Sequence, residues 1–175
     1  ATLNPWLLRA GRFAGQNVLL VATRRPTHFD PVERPRPYLY SLRPGARGLR
    51  KVWLGTSLSR PFVTLDFGDL DAAGEDELVA LELTASRHLS VAAYRWEGFG
   101  IEGIAASDPF PDATFLRCDN AWGGPEEEAV VISAHGTLRR FVALQLREGS
   151  LLRVAEAAVD FGGGRVHWKI LPPRN

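Results

Sequence analysis

Residues 65–81 have the sequence Leu65-Asp-Phe-Gly-Asp-Leu-Asp-Ala-Ala-Gly-Glu-Asp-Glu-Leu-Val-Ala-Leu81. Two apolar segments of strand length flank a short turn rich in acidic residues and small residues, which predicts a β-hairpin. The residues that mark the acidic turn are Asp69, Asp71, Gly74 and Glu77. Weaker copies of this strand, turn and strand occur before and after it, so the chain is built from repeats.

The repeats have a period near 50 residues. Their turns are entered at Gly11, Gly68 and Cys118, which are 57 and 50 positions apart. Each period contains four short strand signals, and no long window has helical periodicity. The sequence therefore predicts an all-β, β-propeller-type array of about three four-stranded antiparallel blades, plus an extra C-terminal strand. We expect a single domain over residues 1–175, with repeats at about 4–59, 60–109 and 110–158 and the extra strand at 160–171.

Composition excludes several classes of partner. The chain is 45% hydrophobic and 23% charged, which is typical of a globular domain. Its net charge is +1, so no overall field favours nucleic acid, and no apolar run is long enough for a membrane span. The single cysteine, Cys118, is expected to be a core residue. The chain has no methionine, even at position 1, so we expect that residues have been removed before Ala1.

The segment 24–37 contains four prolines and is predicted to be a long loop between two strands. Long ordered loops on rigid scaffolds often carry binding residues. We therefore predict that this segment projects as an arm that contacts a partner. Its candidate binding residues are Arg24, Arg25, His28, Arg34 and Arg36.

Aromatic residues offer a second kind of binding candidate. Of the five tryptophans, Trp122 is expected to be the most exposed, because it lies in a turn between Asn120 and Gly123. An exposed tryptophan can stack on a sugar ring, whereas most tryptophans of a sheet protein cover the faces of the sheets. No catalytic residue is predicted, since the four histidines lack metal-binding spacing and no nucleophile motif occurs.

The acidic turn resembles the FG-GAP or VCBS repeat of β-propeller proteins, whose pattern is D-x-D-G-D-G-x-x-E-L between two strands. Residues 69–78 match it as Asp-Leu-Asp-Ala-Ala-Gly-Glu-Asp-Glu-Leu. Phrases at 52–62 and 89–100 also resemble a bacterial group of such proteins that is mostly uncharacterised. The resemblance is clear over about residues 50–105, moderate over 4–50 and weak beyond 110, and it departs from the pattern at Ala72 and Ala73. It implies a non-catalytic recognition or structural module and favours a location outside the cytoplasm.

Calcium is the cofactor that this turn could bind. Calcium takes six to eight oxygen ligands, and Asp69, Asp71 and Glu77 would supply carboxylates. The alternative is a turn in which the two aspartates accept backbone N–H groups and no metal is needed. The other two turns lack the carboxylates for a calcium site.

The sequence does not decide whether the partner is a protein or a carbohydrate. The alternatives to a recognition module are a lectin-like propeller that binds carbohydrate, and a hydrolase or lyase whose site has no known motif. Three repeats fall short of the about four to eight blades of a propeller. Either two copies form a homodimer, which we favour, or the chain is part of a longer propeller, or the sheets collapse into a sandwich.

Overall fold

A computed structural model of the chain describes residues 4–28, 30–41, 48–53, 55, 57–121, 123–163 and 165–170. These residues contain thirteen β-strands and no helix. The predicted all-β fold class is therefore confirmed. Within the same residues, nothing has the helical length and apolar character that a membrane-crossing helix requires.

The strands form three antiparallel sheets, and strands that follow each other in sequence are neighbours in each sheet. The first sheet consists of β1 (Pro5–Phe13), β2 (Gln16–Arg25), β3 (Arg34–Ser41) and β4 (Arg50–Trp53). The second consists of β5 (Phe62–Gly68), β6 (Glu77–Leu83), β7 (Leu89–Glu97) and β8 (Gly100–Ala106). The third consists of β9 (Ala113–Asp119), β10 (Glu128–His135), β11 (Leu138–Arg147), β12 (Ser150–Asp160) and β13 (Arg165–Ile170).

The architecture is blade-like. The first twelve strands make three four-stranded units, and β13 pairs with β12 as an extra strand at the edge of the third sheet. The prediction of three four-stranded antiparallel units with one further C-terminal strand is confirmed. The described strands do not close into a barrel.

The second sheet is buried on both faces. Leu78 and Ala80 of β6 belong to a core shared with the first sheet, whereas Val79 and Leu81 belong to a core shared with the third sheet. All four side chains are fully buried. Because successive strand residues point to opposite faces, the part of a strand that is packed on both sides is apolar at successive positions. This explains the continuous apolar run of residues 78–81 within β6, which the buried Glu77 and Glu82 flank.

Neighbouring turns are joined by a repeated backbone hydrogen bond. The N–H of Asp76 donates to the carbonyl of Arg12 at 2.9 Å, which joins the second turn to the first. In the same way the N–H of Glu127 donates to the carbonyl of Asp69 at 2.9 Å, which joins the third turn to the second. The same type of backbone hydrogen bond therefore joins the first sheet to the second and the second sheet to the third.

The first strands of the three sheets carry an alternating row of charges. Asp66 of β5 is 6% exposed and lies between Arg9 of β1 and Arg117 of β9. Asp66 Oδ1 is 3.3 Å from Arg9 Nε, and Asp66 Oδ2 is 3.7 Å from Arg117 Nε. The backbone N–H of Cys118 also donates to Asp66 Oδ2 at 3.0 Å. A buried carboxylate needs such partners, because an unpaired charge is costly to bury.

The prediction of a long loop over residues 24–37 is wrong at both boundaries. Strand β2 continues to Arg25 and β3 begins at Arg34, so the connection covers only residues 26–33. Pro35 and Pro37 pair with β2, but β4 pairs with β3 only from Leu39 onwards. A proline whose nitrogen faces an open strand edge removes no ladder hydrogen bond, which is why the strand tolerates both prolines.

Candidate functional site

The acidic turn between β5 and β6 brings together the three carboxylates predicted from the sequence. Asp69, Asp71 and Glu77 each have a carboxylate oxygen that lies within 4.8 Å of the others. Ala72 and Gly74 adopt positive φ angles of 57° and 83°, which let the chain reverse within a few residues. The turn therefore places three acidic groups around one small volume, as the calcium prediction requires.

A cation from the protein already lies in this cluster. Arg95, on β7, places Nη2 2.6 Å from Asp71 Oδ2 and 2.6 Å from Glu77 Oε1. Its Nε also donates to Glu77 Oε1 at 3.1 Å. Burial raises the pKa of Glu77, while the hydrogen bonds from Arg95 and the Leu70 N–H act in the opposite direction. The hydrogen bond with Glu77 raises the pKa of Arg95, so the guanidinium stays charged.

The aspartates also accept backbone donors. Gly74 N–H donates to Asp69 Oδ2 at 2.8 Å, and Ala73 N–H donates to Asp71 Oδ1 at 3.1 Å. These are the hydrogen bonds of the metal-free alternative. Calcium at this turn stays a prediction, and a bound ion would have to share the carboxylates with these donors and with Arg95.

A second candidate site is a cleft of about 690 Å³ on the first sheet. This volume is suited to a small ligand or to part of a larger one. The lining residues come from the end of β2, the 26–33 connection, β3, β4 and the segment that follows β4. They are Arg25, Thr27, His28, Asp30, Arg36, Tyr38, Lys51, Trp53, Gly55 and Ser57.

Arg36 lines the cleft, and all three of its guanidinium nitrogens donate hydrogen bonds. It is 3% exposed, and its Nε donates to the carbonyl of Arg25 at 3.0 Å. Nη1 donates to Ser57 Oγ at 3.1 Å, and Nη2 donates to Asp30 Oδ2 at 2.5 Å. Arg36 therefore ties the 26–33 connection to β2 and to the segment after β4, which is a structural role.

Asp30 is fixed as an ionised carboxylate. The hydrogen bond from Arg36 is the main cause that holds the pKa of Asp30 below its usual value, and the Val32 N–H adds to it. Arg34 Nε lies 3.5 Å from the same carboxylate. Asp30 also folds the connection, because its N–H donates to Thr27 Oγ1 at 3.1 Å. The connection is thus tied to β3 through Asp30 and Arg36.

The cleft carries positive charge that no carboxylate of the described residues neutralises. Arg25 places its guanidinium carbon 5.9 Å from the centre of the Tyr38 ring, and Lys51 is exposed. Neither forms an ion pair with a carboxylate of the residues that the structure describes. Trp53 adds a partly exposed aromatic surface. The cleft therefore suits a ligand that offers an anionic group and a ring or other flat surface.

The binding residues predicted from the sequence fall into three groups. Arg25, His28 and Arg36 line the cleft. Arg34 reaches Asp30 from outside the lining, and Arg24 lies over the Trp6 ring, with its guanidinium carbon 5.9 Å from the ring centre. Arg24 and Arg25 are consecutive strand residues, so they point to opposite faces. Trp122 lies outside the described residues.

Sequence reasoning missed the other wall of the cleft, which is formed by Tyr38, Lys51 and Trp53. Strand alternation does not supply the signal, because the pairing of β4 with β3 is irregular: Lys51 lies opposite Tyr40, whereas Trp53 lies opposite Leu39, the preceding residue of β3. That β4 lies beside the loop follows only from its pairing with β3.

No protein-family model matches this chain, and no curated protein matches it significantly.

Proposed function

We propose that the chain is a non-catalytic recognition module of the FG-GAP or VCBS type, and that it contacts its partner through the cleft on the first sheet. The observation that carries this proposal is that the cationic Arg25 and Lys51 and the aromatic Tyr38 and Trp53 line one cleft. Such mixed surfaces are typical of binding sites.

The state of Asp30 supports binding over catalysis. A general acid or base works best when its pKa lies near the working pH. Arg36 lowers the pKa of Asp30, so this carboxylate is a weak base and holds no proton to donate at neutral pH. Ser57 Oγ accepts a hydrogen bond from Arg36. A hydrolase or lyase, the catalytic alternative, would need another base, and His28 is the one histidine of the cleft.

The repeated stacking supports the propeller-type array within this proposal. The hydrogen bonds from Asp76 to Arg12 and from Glu127 to Asp69 set successive sheets in the same relation. Arrays of this kind bury their blade faces against neighbouring blades. Within the proposal, two copies of the chain complete the array as a homodimer.

Carbohydrate is the second candidate for the partner, and Trp53 is the specific observation that favours it. Tryptophan and tyrosine rings stack on the apolar faces of sugars, and both residue types line the cleft. The positive charge from Arg25 and Lys51 favours acidic sugars among them. A lectin-like module would therefore use the same cleft as a protein-binding module.

The test uses arrays of acidic glycans, neutral glycans and peptides. We expect binding to one class, reduced at least about tenfold by combining Arg25→Ala with Lys51→Ala, which corresponds to about 1.4 kcal/mol. Trp53→Ala should abolish glycan binding if sugar is the ligand. Arg50→Ala is the matched control, since Arg50 is the strand neighbour of Lys51 and does not line the cleft. Binding that survives all the cleft substitutions would refute the proposal.

A further inference from the structure

We propose that Arg95 takes the place of a divalent cation in the acidic turn, so that the turn between β5 and β6 folds without metal. Residues Asp69, Asp71 and Glu77 surround a small volume, and the Arg95 guanidinium enters it from β7. It bridges Asp71 and Glu77 with one nitrogen, at 2.6 Å from an oxygen of each. A bridging contact between carboxylates is what a bound metal would otherwise supply.

The carboxylate oxygens have few remaining sites for a metal. Asp71 and Glu77 each use one oxygen for Arg95. Their other oxygens accept the N–H groups of Ala73 and Leu70, at 3.1 and 3.0 Å. Asp69 Oδ2 accepts the Gly74 N–H, and only Asp69 Oδ1 is buried without a hydrogen bond to a described residue. Calcium takes six to eight oxygens, so it would have to displace most of these donors.

The third turn shows the same construction with less charge. Glu128 is fully buried, and its Oε2 accepts the Ala121 N–H at 2.9 Å, as Glu77 Oε2 accepts the Leu70 N–H. Its Oε1 accepts Gln145 Nε2 at 2.7 Å. Gln145 comes from β11, the third strand of its sheet, as Arg95 comes from the third strand of the second sheet.

The register shows that these positions are equivalent. In the second sheet Gly68 pairs with Glu77, and Leu78 pairs with Tyr94, the residue before Arg95. In the third sheet Asp119 pairs with Glu128, and Ala129 pairs with Leu144, the residue before Gln145. Both turns are therefore closed by a side chain from the same place in the fold.

The side chain from the third strand of each sheet, Arg95 or Gln145, matches the number of carboxylates in the turn that it contacts. Counting from the buried glutamate of each turn, the sequence has Asn120 and Trp122 where the second turn has Asp69 and Asp71. The third turn thus has one carboxylate among these three positions, and the neutral Gln145 closes it. The second turn has three, and the closing residue is the cation Arg95. A metal is not required by either turn.

The test compares melting temperatures in millimolar calcium chloride and in chelator. We expect the wild-type value to be the same in both, because a ligand that binds only the native state must raise stability. Arg95→Gln copies the third turn and leaves the second turn with uncompensated carboxylates. We expect this variant to melt at least several degrees lower than wild type in chelator and to regain stability in calcium.

Two further variants make the result decisive. Asp71→Asn combined with Arg95→Gln removes a carboxylate together with the cation, so it should fold and lose its response to calcium even if Arg95→Gln alone does not fold. Arg87→Gln, at an exposed hairpin position of the same sheet, is the control and should behave as wild type. A wild-type melting temperature that rises with calcium, or a destabilised double variant that still responds to calcium, would overturn the proposal. An Arg95→Gln variant that folds and gains nothing from calcium would also overturn it.

Discussion

Gly68 packs so closely on Cys118 that a Cβ atom at Gly68 would lie 2.6 Å from Cys118 Cβ. The contact joins the end of β5 to β9, the first strand of the next sheet. The same relationship occurs one sheet earlier, where a Cβ at Gly11 would lie 2.5 Å from the Phe67 ring. Glycine at the turn entry therefore permits each sheet to approach the next.

Replacing Gly68 by alanine should destabilise the fold, because neither the Cys118 side chain nor its strand can move away without disturbing the core. We expect a loss of about 1–3 kcal/mol in the free energy of unfolding, as for other overpacked sites. Urea denaturation measures it. Gly100→Ala is the control, since nothing lies within 4 Å of a Cβ there. Equal stability of the two variants would contradict the close approach of the sheets.

The hydroxyl of Tyr94 donates to Glu82 Oε1 at 2.5 Å, and both residues are at most 3% exposed. Burial and the Glu82 contact raise the pKa of Tyr94 to about 12. Tyr94→Phe removes this donor and leaves Glu82 less well satisfied. We expect a loss of about 1–3 kcal/mol in unfolding free energy at neutral pH. Tyr40→Phe, at another buried tyrosine, should cost less.

The cost of Tyr94→Phe should depend on pH. Burial raises the pKa of Glu82, and the hydrogen bond from Tyr94 opposes that rise, so the pKa is expected to be higher in the variant. A carboxyl whose pKa is higher in the folded than in the unfolded state stabilises the fold fully when the pH is below its unfolded-state pKa, which is 4.5 for Glu82. This stabilisation is lost as the pH rises through the folded-state pKa. The deficit should therefore be smaller at about pH 4 than at about pH 7. A deficit that is equal at both pH values would argue against this role for Glu82.

The 26–33 connection should detach in acid. The hydrogen bond from Arg36 lowers the pKa of Asp30 in the folded state. The stabilisation that ionised Asp30 gives to the fold is therefore complete at pH values above its unfolded-state pKa of 3.8, and it is lost as the pH falls through the lower folded-state pKa. Hydrogen exchange of the connection should therefore increase below that pH. Arg36→Lys should increase exchange already at neutral pH, because lysine cannot reproduce the three contacts of the guanidinium. Arg34→Lys is the control, and an equal effect of both would refute the role of Arg36.

Self-association is the prediction about assembly. Three four-stranded units are fewer than the about four to eight of closed propellers, and the outer face of the third sheet includes Phe141, Ala143, Ala155 and Ala157 around an apolar groove. We expect sedimentation velocity to show a dimer at tens of micromolar protein. A compact monomer at that concentration would eliminate the dimer.

The sequence by itself determined the all-β fold class and the acidic turn between β5 and β6. The two apolar segments that were predicted to flank the acidic turn within residues 65–81 lie in β5 and β6. Both signals are local, because apolar runs of strand length and turn residues act within a few positions. The meander order of the sheets follows from the short connections between consecutive strands.

Only the tertiary structure decided which side chains meet. Arg95 lies 18 residues from Glu77 in sequence, and pairing of β6 with β7 brings it to the turn. Lys51 and Trp53 reach the cleft because β4 pairs with the end of β3, and the same short pairing leaves Pro35 without a second neighbouring strand. Register fixes these contacts, and it depends on how whole strands bury their apolar faces. A local pattern therefore specifies an element but not the partners that its polar side chains find.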